Sequence, residues 1–267
     1  MSVITKTIHS FEEYICNSFQ DIERDHHLIF QEDFVYRGLP SASFQLETSL
    51  IRNCRSNINL EKSLLRNFAK HLPTEYRQHT CSIWDIMILG QHHGLPTRLL
   101  DWSYSPLIAL HFATASFEYM HDDAIIWKVS VMDANKTLPL CFTETLLSES
   151  KHIFTLEDLK KYTRGNENEL QYFEDNIENG FLFFAPPNID SRIAYQWSIF
   201  SLSKINTNIE EYFNTSDITV YKYIIPQAIK VHFRNILDHS NISERVLFPG
   251  LEGLCNWLAR MYYTEFV

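Results

Sequence analysis

Between Gln91 and Ala113 the chain reads QHHGLPTRLLDWSYSPLIALHFA, and its polar residues are of the types that hold anions and move protons. His92 and His93 carry imidazoles that titrate near neutrality and can take or give a proton. Arg98 is a permanently charged fork suited to phosphate oxygens. Asp101, Trp102, Ser103 and Ser105 follow closely. Adjacent side chains diverge on a strand or a helix, so the paired histidines are a poor metal site, and no metal is expected. Further candidates lie elsewhere: Tyr36-Arg37-Gly38, Arg192 and Gln196 in RIAYQ, and the carboxylates Glu244 and Glu252. Each has a plainer alternative. Arg37 could pair with Asp101 or Asp33, Asp101 could fix Arg98 or Arg37, and Trp102 could be core. Arg192 and Gln196 could anchor a strand, Glu244 could be loop charge, and Glu252 could serve a helix dipole.

These groups need a frame. Leu99, Leu100, Leu107, Ile108, Leu110 and Phe112 surround them, which predicts a partly buried segment rather than a surface loop. Gly94 and Pro96 punctuate a turn after the histidines, and Thr97 to Trp102 reads as a buried strand. Ser105 followed by Pro106 is a helix start, with the helix running to about Tyr119. A strand, polar turn and helix N-terminus in that order favour an anion beside Asp101, Trp102, Ser103 and Ser105, phosphate first.

The rest of the chain reads as mixed α and β. Ser10 and Glu13 suggest a capping box for a helix from Ser10 to about Asp25. Phe34 to Gly38 has strand propensity. Leu60 to Leu72 is helical, and Ser82 with Asp85 caps a helix leading into Gln91. Ala124 to Val131 is a buried strand. From Asp133 to about Gly180 the composition turns polar, with weak helices near Leu156 to Tyr162 and Asn166 to Ile177, predicting a surface insertion. β character returns at Phe181, in Arg192 to Leu202 and in Thr219 to Ile225. Helices follow at Pro226 to His239 and after Gly250, the last with Leu251, Leu254, Cys255, Leu258 and Tyr262 as its buried stripe. The 267 residues are therefore expected to form one α+β domain with an insertion at about 133–180.

Composition narrows the function. With 45% apolar and 14% aromatic residues the core can be large, and no apolar run is long enough to span a bilayer, so no membrane partner is expected. The start, MSVITKTIHSFEEY, lacks a basic then apolar leader, which predicts a cytoplasmic protein. Cys16, Cys54, Cys81, Cys141 and Cys255 are scattered without a CxxC, as reduced thiols would be. A net charge of -10 argues against a broad nucleic-acid-binding face. There is no GxGxxG, P-loop, HExxH or nucleophile elbow, which disfavours dehydrogenases, NTPases, zinc proteases and α/β-hydrolases.

Four pieces of the chain resemble the FRG domain family: YRG at Tyr36 to Gly38, QHHGLPTRLLDWSYSPLIALHFA, PPNIDSRIAYQWSIFSL from Pro186 to Leu202, and LFPGLEGL from Leu247 to Leu254. Their order in turn resembles that of the ADP-ribosyltransferases. That resemblance implies a mixed split β-sheet with flanking helices around NAD, with Arg37 as the early arginine. The stretch from Asp101 to Pro106 would be the serine strand and helix start, and Glu252 or Glu244 the late acid. An aspartate and tryptophan stand where many such enzymes carry Ser-Thr, and no Glu-x-Glu pair lies near Val246.

On that resemblance the chemistry is nucleotide chemistry. Cleaving nicotinamide from ribose develops positive charge on the sugar, which a fixed carboxylate stabilises. Arg37 and Arg98 would grip the diphosphate, Ser103 or Ser105 would orient the ribose, Trp102 or Tyr36 would stack, and His92 or His93 would move a proton or bind a ribose hydroxyl. The implied role is a bacterial toxin or anti-phage effector that modifies RNA, DNA or protein and is restrained by an antitoxin or inhibitor protein. Two competing functions remain: a metal-independent ribonuclease using His92, His93 and Arg98, and a non-catalytic module that binds a nucleotide or a protein.

Overall fold

The run AIIWKVS is buried at every position and becomes the strand Ala124–Ser130, around which one half of a sheet is assembled. A computed structural model describes residues 3–20, 34–54, 58–77, 82–149, 151–163, 168–177, 181–187 and 191–262. Its strands are β1 (Ile4–Thr7), β2 (Phe34–Leu39), β3 (Leu100–Ser103), β4 (Ala124–Ser130), β5 (Phe154–Thr155), β6 (Phe181–Ala185), β7 (Ser198–Ser203) and β8 (Val220–Ile225). They form one sheet in the order β1-β8-β4-β2-β3-β7-β6-β5. The outermost pairs, β1 with β8 and β5 with β6, are parallel and the others antiparallel. The fold is thus α+β, with a mixed sheet and flanking helices.

Alternation along the strands sorts the core onto two faces. Ile125, Trp127 and Val129 of β4 join Val35, Leu39, Leu100, Trp102 and Ile199 on one face. The other face carries two clusters. Ala124 and Ile126 pack with Tyr36, Ala109 and Phe233 at one end, while Phe184, Phe200 and Leu202 pack with Trp84 and Met87 at the other. β2 and β3 lie between those two clusters.

The helix Pro106–Thr114 begins as the sequence requires, with Ser105 accepting from the Ile108 amide and proline in the first turn. It ends sooner than expected, and a short 3-10 turn, Phe117–Tyr119, follows. Ser82 and Asp85 form a complete capping box for the helix Ile83–His92. Ser10 caps the helix Phe11–Phe19 through the Glu13 amide, whereas Glu13 reaches the His9 amide. The predicted extension to Asp25 lies outside the described residues, as do Asp33 and Cys81.

Gly38 explains part of the YRG piece. A Cβ there would lie 1.9 Å from the Ala109 carbonyl oxygen and 2.8 Å from the Ala113 nitrogen, so only glycine lets β2 seat the helix Pro106–Thr114. Gly38→Ala should destabilise the fold by about 3 kcal/mol or more, because backbone rather than a movable side chain blocks it. A shift in the urea midpoint at unchanged slope measures this. An unmoved midpoint counts against the contact.

Three expectations are corrected. The stretch 133–180 is no surface insertion: Leu138, Phe142, Leu146, Leu159, Leu170 and Phe173 are buried against Trp84, Met87 and Phe200. Its helices Leu156–Thr163 and Glu169–Asn176 are polar on their outer sides, which lowers mean hydropathy without removing the core face, and the helix Leu140–Ser148 buries Phe142 and Leu146. The segment from Arg192 is not continuous strand, since a helix, Ser191–Tyr195, precedes β7. The last helix, Leu251–Met261, turns its predicted buried stripe outward, with Leu251 78% and Tyr262 81% exposed. What faces inward is Gly253, whose Cβ would meet the Phe248 carbonyl at 1.9 Å, and Arg260. Among the described residues no helix is long and apolar enough to cross a membrane.

Candidate functional site

β2 and β3 are neighbours, yet Tyr36 and Ser103 are the one pair in register between them, against six pairs between β2 and β4. Backbone groups that leave a ladder need other partners. Arg37 supplies one, its Nη1 donating to the Asp101 carbonyl at 2.5 Å. The guanidinium therefore occupies the opening that the strands leave.

A cavity of about 680 Å³ lies at this opening, well within the size range of small-molecule sites. Arg37 comes to it from β2, Arg52 from the helix Ser49–Cys54, and Arg192 from the helix before β7. Asp101, Glu47 and His92 line it as well. The Nε of Arg37 is buried and has no hydrogen-bond partner among the described residues. Burial pulls the Arg37 pKa down, Asp101 opposes the shift and Arg52 adds to it; a guanidinium keeps its charge regardless.

Asp101 lines the cavity with its side chain 54% exposed. The surrounding protein desolvates the carboxylate and raises its pKa. Arg37, with Nη1 at 4.0 Å, and Gln91, donating from Nε2 at 2.6 Å, act in the opposite direction. Two ion pairs sit nearby. Arg52 faces Glu47 at 3.5 Å, and Arg192 donates to Glu252 at 2.5 Å and lies over the Phe248 ring.

Of the residues singled out in the sequence, Tyr36, Arg37, Gly38, His92, Asp101, Trp102, Ser103, Arg192 and Gln196 come together around this cavity. Several are committed elsewhere. The Tyr36 ring is core, and its hydroxyl donates to the Ser18 carbonyl at 2.8 Å. The Trp102 ring packs edge-on to Phe181 and Phe183 on the opposite sheet face, and its indole N–H donates to Ser201 Oγ at 2.8 Å, so neither ring is the expected stacking platform. Ser103 Oγ donates to the Gln196 carbonyl at 2.7 Å and accepts from the Ser105 amide at 3.0 Å, while the Gln196 amide nitrogen donates to the Leu247 carbonyl at 3.0 Å. These bonds order the approach of β3 and β7.

Five candidates fall outside the cavity lining. Arg98 is buried and held by Glu61 and Glu174, so it does not hold a phosphate there. His93 ends the helix Ile83–His92 and is exposed. Ser105 caps its own helix and borders a separate groove of about 500 Å³ with Ile108, Trp197 and Leu247. The anion expected at that helix start therefore does not share the cavity with the arginines. Glu244 is buried and takes two hydrogen bonds from Arg260, at 2.7 and 2.8 Å. Glu252 is exposed and pairs with Arg192, which lines the cavity.

Gln91, Glu47, Arg52, Phe112 and Phe248 line the cavity without having been singled out. Gln91 opens the QHHGLPT piece, and its place in that piece was the available signal. Glu47 and Arg52 sit in a stretch without sustained periodicity, where nothing local marks a site.

Residues 32–122 match the FRG domain family model, which covers both the YRG piece and the Gln91–Ala113 stretch. The resemblance drawn from those two pieces holds over that range. No curated protein and no solved structure matches the chain.

Proposed function

We propose that this chain binds NAD in the cavity between β2 and β3 and transfers its ADP-ribosyl group to a macromolecular acceptor, with Asp101 as the carboxylate at the reacting bond. One observation carries this: three arginines from separate segments converge on a single cavity with two carboxylates, of which Glu47 faces Arg52 and Asp101 stands beside Arg37. Guanidinium forks suit a diphosphate, and Arg37, its Nε unengaged, has a donor to give. As the glycosidic bond breaks, its electron pair returns to the pyridinium nitrogen and nicotinamide leaves neutral. The ribosyl cation that forms is stabilised by a carboxylate held in a partly desolvated site. The acceptor then bonds to that carbon and loses a proton, for which His92 is the nearby base. His93 stands apart and Arg98 is committed, so the observations favour this chemistry over a ribonuclease using the histidine pair.

Incubation with adenine-labelled NAD and cell extract tests the reading. The expected result is nicotinamide release with label in the protein or the nucleic-acid fraction. Asp101→Asn should lower release about 10²- to 10³-fold while NAD still binds. Arg52→Ala should weaken binding roughly tenfold with the fold intact. Binding without release in the unaltered chain would leave a nucleotide-binding module, and absence of both would overturn the proposal.

A further inference from the structure

The QHHGLPT piece has a structural logic that ends on Asp101. The helix Ile83–His92 stops with Gly94 at φ 82°, the Gly94 amide donating to the Gln91 carbonyl at 3.1 Å and the Leu95 amide to the Gly90 carbonyl at 2.8 Å. This pairing is the glycine-terminated helix stop in which the chain folds back on its last turn. It returns Thr97 to the side chain of Gln91. Thr97 is fully buried and is itself anchored to the helix Ser49–Cys54. Its amide donates to Ser49 Oγ at 3.1 Å, and its carbonyl accepts from the Leu50 amide at 3.0 Å. Arg52, on that same helix, lines the cavity.

The Thr97 hydroxyl accepts from the Leu99 amide at 3.1 Å and donates to Gln91 Oε1 at 2.5 Å. With its carbonyl end taken, the Gln91 amide presents its nitrogen to Asp101 Oδ2 at 2.6 Å. The orientation follows from chemistry, because an ionised carboxylate can only accept and the Thr97 proton has one acceptor to go to. We propose that Gln91 is a positioning residue that keeps Asp101 ionised and aimed into the cavity, with Thr97 fixing which end of the Gln91 amide faces it. This rests on Asp101 being the reacting carboxylate. The charged and titratable groups facing Asp101 are Arg37 from β2 and His92 from the Gln91 helix. Gln91 adds a neutral donor, which opposes desolvation without adding charge to the site.

The test follows Asp101 directly, by carboxyl carbon NMR titration, alongside the pH dependence of nicotinamide release. In Gln91→Leu the Asp101 midpoint should rise by about one pH unit, and the acidic limb of the activity profile should move with it. Thr97→Val should give a smaller rise, and Thr97→Ser, which restores the hydroxyl, should match the parent chain. A merely structural role would lower activity at all pH values and leave the midpoint where it was. An unmoved midpoint in a folded Gln91→Leu, with activity reduced, overturns the positioning role and leaves the transferase reading standing. A raised midpoint with no nicotinamide release from any form supports the positioning role and removes the transferase reading.

Discussion

Arg98→Met should cost about 3–5 kcal/mol, enough to leave the domain at the edge of folding. Arg98 and Glu61 are both buried, at 1% and 0% exposure. The Arg98 Nε donates to the two Glu61 oxygens at 2.8 and 3.0 Å, Nη2 donates to Glu61 as well, and Nη1 to Glu174. Removing the guanidinium strands a carboxylate away from water with no counter-charge, and that stranded group, more than the lost attraction, sets the cost. Arg98→Lys should recover little, since an ammonium cannot reproduce the fork that joins the helices Ile58–His71 and Glu169–Asn176. Arg98→Met with Glu61→Leu should recover most of the loss, because the stranded charge goes too. Urea unfolding of the single and double variants measures the coupling. Full stability in Arg98→Met together with weakened ligand binding would return Arg98 to the ligand role that its sequence setting suggested.

That contrast marks what the sequence could and could not reveal. Ser82 with Asp85, Ser105 with Pro106, and the apolar runs of β2, β4 and β8 specify local conformation through bonds made within a few residues, and the structure has them. Burial is a different kind of fact. The stripe of Leu251, Leu258 and Tyr262 has the right period for a core face, yet Gly253 and Arg260 form the seat of that helix. Periodicity shows that a face is apolar but not whether a partner lies against it. The helices Leu156–Thr163 and Glu169–Asn176 fail in the opposite sense, being polar on average and buried on one side.

The site residues divide for a related reason. Arg37 and Asp101 are far apart in sequence, and what joins them is an opening between two strands, which no local pattern encodes. Arg98 and Glu244 look equally available in the sequence, but tertiary approach gives each a buried counter-ion. A charged residue is available to a ligand to the extent that the fold leaves it donors, and Arg37, although Asp101 lies 4.0 Å from its Nη1, keeps an unengaged Nε among the described residues.

Acidification should remove stability through His111. Its Nδ1 lies 2.7 Å from Arg234 Nη1, and a guanidinium only donates, so Nδ1 is the accepting nitrogen and the ring is neutral. Burial holds the His111 pKa down to about 3, with the charges of Arg234 and Arg260 adding to the effect and Asp238 opposing it. The unfolded chain takes up the proton near 6.5 and the folded one does not until about 3. The stabilisation is therefore complete above pH 6.5 and is lost as pH falls toward 3. The difference amounts to about 4–5 kcal/mol across that window, of which roughly 2 kcal/mol is gone by pH 5. Arg234 and Arg260 also hold Asp238, and Arg260 holds Glu244, so protonation puts a third cation among groups that join the helices Pro106–Thr114, Gln227–His239 and Leu251–Met261. Thermal unfolding at half-unit steps from pH 7 to pH 5 should show the melting point falling steadily. In His111→Gln, whose amide oxygen can still accept from Arg234, the fall should flatten even though the repacked side chain lowers stability at pH 7. Equal slopes in the two proteins would place the acid sensitivity in the carboxylates instead. Because Phe112 lines the cavity one residue along the same helix, the loss should reach the candidate site before the sheet itself opens.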